Sequence, residues 1–115
     1  MKKEGKIVKI KELIEKLNLR EITCSDPERE ISGCYIGDLL SWVMSKAQGD
    51  NIWITIQSNV NIVAVASLTD VTAVIVAEDV QVEDEVVQKA EMQEINLLGS
   101  SLNSYELACK IKELL

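Results

Sequence analysis

Gln57, Ser58, Asn59 and Asn61 place four side chains with donor and acceptor groups in one short stretch, between an apolar run and an apolar segment. Such groups recognise a ligand by hydrogen bonding, but none is charged and none is an activated nucleophile. Ser and Asn are also the preferred residues of helix caps and turns, and capping is the simpler account of the same cluster. Gly37-Asp38 forms a second polar step of the same kind, with Asp38 placed as the N-cap or in the first turn of the helix that follows. Glu78 and Asp79, followed by Glu83, Asp84 and Glu85, offer carboxylate oxygens to a cation. They lack the spacing and the glycine of an EF-hand loop, and acidic residues at the start of a helix match its dipole. Gly99-Ser100-Ser101 is a fourth candidate, with backbone N–H groups for a phosphate. No GxGxxG or GxxxxGK[ST] supports it, and a plain turn suffices.

The chemistry that remains is narrow. The chain has no histidine, which removes Ser-His-Asp and Cys-His nucleophilic catalysis together with the usual general base at neutral pH. An enzyme would have to work through carboxylates such as Asp38, Asp70 or Asp79, and no pair of them is tied to a nucleophile. Cys24, Cys34 and Cys109 form no CxxC pair and read as structural thiols; no metal site and no cofactor is expected. The formal net charge is −7, which repels phosphate backbones and anionic lipid. Lys2, Lys3, Lys6, Lys9, Lys11 and Lys16 crowd the N-terminal region, but Glu4, Glu12 and Glu15 are interleaved with them, as on a solvated helix face. No nucleic-acid or membrane partner is expected, and with neither an apolar spanning run nor a leader the protein reads as cytoplasmic.

The elements that must position these residues follow from periodicity. After a tail over Met1 to Gly5, Ile7 to Lys9 reads as a short strand, and Ile10, Leu13, Ile14 and Leu17 recur at helical spacing. Glu21 to Cys24 reads as a strand, Asp26 to Glu30 as a loop after Pro27, and Ile31 to Ile36 as a second extended segment. A helix then carries Leu39, Leu40, Trp42, Val43, Met44 and Ala47 and stops at Gly49-Asp50. Asn51 to Gln57 is a strand, and Ser58 or Asn59 caps the next helix. Val71 to Ala77 is an unbroken β-branched run of the kind found at the centre of a sheet buried on both faces. Glu83 to Glu94 is a helix and Ile95 to Leu98 a strand; Asn103 and Glu106 have the spacing of a capping box that opens a last helix. Trp42 and Trp53 lie in apolar surroundings and read as core or interface. From Ile31 onward strands and helices alternate, so the fold class is α/β, one domain over residues 1–115 with a mostly parallel sheet and crossover helices.

Between Asn59 and Asp70 the helix is apolar nearly all round. A sheet covers one side of such a helix, and the other side calls for a second copy of the chain. The sequence therefore predicts a homodimer with Val60, Ile62, Val63, Val65 and Ala66 at the interface.

Through Ile36-Gly37-Asp38-Leu39, through the stretch from Ile54 to Ile62, and through Ala73 to Asp79, the chain resembles the DRTGG domain family, over about its last two-thirds. Such domains occur alone, beside CBS domains and within some bacterial phosphotransacetylases, and they look like the N-terminal domain of HPr kinase/phosphorylase. The resemblance implies an α/β module, commonly self-associating, regulatory in role and with no established catalytic activity. The steps that give the family its name fall at Gln57-Ser58-Asn59 and Ala77-Glu78-Asp79, where this chain has neither the arginine nor the glycines. That loss removes the groups best suited to receive an anion. The expected function is a non-catalytic regulatory or interaction module. It would bind a small metabolite or a protein partner through Gly37, Asp38, Gln57, Ser58, Asn59, Asn61, Glu78 and Asp79. A purely structural homodimer and a carboxylate-dependent enzyme are the alternatives.

Overall fold

The computed structural model describes residues 7–115, so the tail read over Met1 to Gly5, with Lys6, lies outside the described residues. Ten elements follow in order: α1 Ile10–Leu17, β1 Arg20–Thr23, β2 Cys34–Ile36, α2 Leu40–Lys46, β3 Ile52–Thr55, α3 Asn61–Thr69, β4 Ala73–Val76, α4 Asp84–Met92, β5 Leu97–Gly99 and α5 Ser104–Leu114. The strands form one sheet in the order β1-β5-β4-β3-β2. β2 to β5 run parallel, while β1 lies antiparallel on β5 with a bulge between Glu21 and Thr23.

Because β2, β3, β4 and β5 are neighbours in chain order, crossovers of one hand put α2, α3 and α4 on the same face of the sheet. That face packs Val43, Val63, Ala66, Val86 and Ala90 against Trp53, Val74, Val76 and Leu97. The opposite face packs Ile10, Leu13 and Leu17 of α1 and Leu107 and Ile111 of α5 against Ile52, Ile54, Ile75 and Leu98. β4 is buried at every position, as its β-branched composition requires of a central strand.

This arrangement corrects the reading of α3. Ile62, Val63, Val65 and Ala66 are buried within a single chain. α3 lies between α2 and α4, which cover its flanks, while Ala64 and Leu68 on its outer side stay exposed. Of the five residues nominated for an interface, only Val60 keeps partial exposure. The strand expected over Ile7 to Lys9 reduces to one bridge between Lys9 and Glu30. The segment from Ile31 pairs only from Cys34 onward, because its partner β3 starts at Ile52, opposite Cys34.

At the amino ends of the strands the polar loop after β1 is stapled down. Asn96 accepts from Asp26 N at 3.0 Å and donates to the carbonyls of Asp26 and Thr72 at 2.9 and 3.0 Å. Arg29 pairs with Asp50 at 3.3 Å and Asp70 at 3.0 Å. Glu28 lies between Lys9 and Lys11, and hydrogen bonds from Lys11 and Lys9 hold its carboxyl down at about 2. Among the described residues no helix is long and apolar enough to cross a membrane.

Candidate functional site

Parallel strands deliver their strand-to-helix loops to one end of the sheet, and the loops after β2, β3, β4 and β5 form its carboxyl rim. Asp38 is not the cap of α2, since Leu39 occupies that position. The β3 ladder ends at Thr55, leaving the Ile56 N–H without a strand partner, and the Asp38 carboxylate takes it. Its Oδ1 accepts from Ile56 N at 2.9 Å and from the buried Thr55 hydroxyl at 2.8 Å. The Gln57 carboxamide donates to the Asp38 carbonyl at 3.0 Å. Gly37 completes the brace: its N–H donates to Ile54 O at 3.1 Å and its carbonyl accepts from the Trp53 indole at 2.9 Å.

Val60, rather than Ser58 or Asn59, stands at the N-cap of α3, and Asn59 braces the turn just ahead of it, its Oδ1 accepting from Asn61 N at 2.7 Å. Its amide nitrogen lies 3.5 Å from Gln57 Oε1. Gln57 and Asn59 are therefore spent in part on bonds within the rim. Ser58 is half-buried beside them, and Asn61 is exposed on the first turn of α3.

Glu78 and Asp79 both adopt the left-handed conformation, with φ of 59° and 56°. Their N–H groups donate to the carbonyls of Leu102 at 2.9 Å and Ser100 at 2.8 Å. This clasp joins the loop after β4 to the loop after β5. It also consumes the donors that an anion would need, and Ser100 is buried with its hydroxyl accepting from Leu102 N at 3.0 Å. Left-handed backbone costs a non-glycine residue about 1–2 kcal/mol, so this loop holds strain that glycines would release. The two halves of the rim meet where Ala77 N donates to Thr55 O at 2.9 Å.

Arg20 is the rim residue that the linear reading omits. It reaches the site because β1 folds back antiparallel on β5, a pairing for which the sequence gives no local signal. Its guanidinium lies against Gly99, where a Cβ would come within 2.7 Å of Cζ, and it pairs with Asp79 at 3.6 Å. Asp70, by contrast, caps the far end of α3 and pairs with Arg29 at the amino ends of the strands. Asp70 thus lies at the end of the sheet opposite Asp38 and Asp79.

The fold is shared with a solved structure. The crystal structure of the CBS and DRTGG domains of the regulatory region of Clostridium perfringens pyrophosphatase, complexed with the activator diadenosine tetraphosphate, is similar to this chain with a TM-score of 0.74 and 14% identity. The match covers 90% of this chain and 45% of that one, so the chain spans less than half the length of its neighbour. At that identity the likeness is one of fold. No protein-family model matches the chain, and no curated protein matches it.

Chemically the rim is a set of hydrogen-bonding groups with the carboxylates of Asp38, Glu78 and Asp79 among them and no histidine or thiol beside them. Burial pushes the Cys34 thiol up to about 11, and burial together with Glu21 raises that of Cys24, so neither is a thiolate at neutral pH. Every buried side-chain nitrogen and oxygen among the described residues has a partner. Among the described residues, no three carboxylate or thiol side chains are grouped to hold a metal ion. Cavities among the described residues lie away from the centre of the rim. One of about 460 Å³ is bordered by Arg29, Asp70 and Asn96. Another, of about 420 Å³, lies between α3 and α4 with Asn61 at its edge, and a third of about 430 Å³ lies between β2 and α5.

Proposed function

We propose that the chain is a DRTGG-like regulatory or interaction module without catalysis of its own, which self-associates and meets a small ligand or protein partner at the carboxyl rim. The observation that carries this reading is the bracing of the rim. Asp38, Gln57 and Asn59, and the Glu78-Asp79 clasp, fix four loops in place and present polar groups with no activated nucleophile beside them. A preorganised surface of this kind suits recognition, because little ordering remains to be done on binding. The fold of a regulatory region that takes a nucleotide activator in the neighbouring protein supports the same reading. Three free thiols fit the reducing cytoplasm.

The test is thermal unfolding with diadenosine tetraphosphate, ATP, AMP and inorganic phosphate as probes. A ligand present at about 100 times its Kd stabilises the folded state by about 2.7 kcal/mol, which moves the melting temperature by several degrees in a chain of this size. The expected result is a concentration-dependent rise with one nucleotide that Gln57→Ala and Asn59→Ala reduce. An unchanged melting temperature across the panel overturns a nucleotide or phosphate as the ligand of the rim.

A further inference from the structure

We infer that a second copy of this chain docks on the β2 edge of the sheet, pairing antiparallel with its own β2 about a two-fold axis beside Tyr35. The inference rests on the self-association in the reading above and assigns its surface.

The two edges of the sheet differ in kind. β1 carries Arg20 and Glu21 and is bulged between Glu21 and Thr23, both devices that stop an edge from templating another strand. β2 reads Cys34, Tyr35, Ile36, with no charge, no proline and no bulge. Its ladder to β3 uses the odd positions: Gly33 O accepts from Ile52 N at 3.0 Å and Gly37 N donates to Ile54 O at 3.1 Å. Alternation along the strand turns the N–H and C=O of Cys34 and Ile36 outward. With Tyr35 on the axis, Cys34 of each copy stands opposite Ile36 of the other, and each such pair exchanges both main-chain bonds.

The side chains around this edge suit the same occupant. Ile36, Leu39, Trp42 and Ile56 are 47, 60, 55 and 44% exposed, at the ends of β2 and β3 and on α2. A two-fold contact sets residues near the axis against their own copies, so it must be free of like charge there. From Ile31 to Ser45 the only charged residue is Asp38, and from Asn51 to Thr69 there is none; Lys46 over the Trp42 ring at 5.6 Å and Lys112 of α5 beside Cys34 are opposite in sign to Asp38 and to the net charge of the chain. The Asp38 carboxylate is already engaged by Thr55 and Ile56. In a chain of net charge −7, this is the face on which two copies meet with least repulsion.

The experiment is light scattering across a concentration series on wild type, Ile36→Pro, Trp42→Glu and, as a control at an exposed site on α4, Met92→Glu. The Ile36 N–H serves no bond within the chain, so proline there removes an intermolecular donor and leaves the ladder to β3 intact. Amide hydrogen exchange of the wild type supplies a second readout that does not depend on any variant folding. The expected result is a wild-type mass of two chains that falls to one in Ile36→Pro and Trp42→Glu and stays at two in Met92→Glu. The Cys34 and Ile36 amides gain protection as concentration rises. A wild-type dimer that survives both substitutions, with those amides unprotected, overturns the surface and leaves self-association standing. A wild type that is monomeric at every concentration overturns both.

Discussion

The Asp38 carboxylate holds two donors at once, the buried Thr55 hydroxyl and the Ile56 N–H. Asp38→Ala strands both, and a hydrogen bond to a charged group together with an unsatisfied buried donor sets the cost at about 2–3 kcal/mol. Urea unfolding should show that loss in the midpoint with the slope unchanged, while Asp38→Asn, which keeps an acceptor in place, should lose less. At this scale the sequence was half legible. It nominated Asp38 because an acidic residue before an apolar helix is a common cap, but the position of the end of β3, which decides what the carboxylate meets, is a tertiary outcome. The Asn103-Glu106 capping box is a local device and is made as its spacing predicts, while Asn59 stops one residue short of the cap and braces the turn before α3 instead. Arg20 has no local signal at all, since only the pairing of β1 with β5 brings it beside Asp79.

α1, whose local pattern is strong, was legible to the residue, while α4, read over Glu83 to Glu94, runs Asp84–Met92. The spacing of Ile10, Leu13 and Leu17 gives α1 its observed bounds, and the β-branched run marks β4 as the central strand. α3 is the instructive failure. Its composition asks for cover nearly all round, but the structure covers its inner face and flanks and leaves Ala64 and Leu68 exposed. That cover depends on the strand order, which places two neighbouring helices on the same face. The consequence is a sharp expectation for Val63→Asp. The substitution sets a carboxylate at a buried position of α3 beside the cavity shared with α4, where an unpaired charge costs several kcal/mol. Circular dichroism and a melt should show loss of cooperative folding. A folded, cooperatively melting variant of reduced mass would return α3 to the role of an interface helix.

For the molecule as a whole, the charges are divided unevenly. Lysine, arginine, aspartate and glutamate crowd α1, α4 and α5, while the stretches that make β2, β3, α3 and most of α2 are almost free of them. The fold class was readable from the alternation of strands and helices, and the solved regulatory-region structure shares it at 14% identity. The gathering of the uncharged stretches on one side of the molecule was not readable, because it follows from the chain order of the parallel strands. Sedimentation at high concentration should find no species larger than two chains, and a ladder of larger species would show that the charged, bulged edge at β1 also pairs. In the language of polymer chemistry, a sheet with one open edge and one guarded edge is a monofunctional monomer. Under the pairing inferred for β2, coupling would be its own termination step, and a chain with a bare strand at its margin would be kept from growing into a fibre.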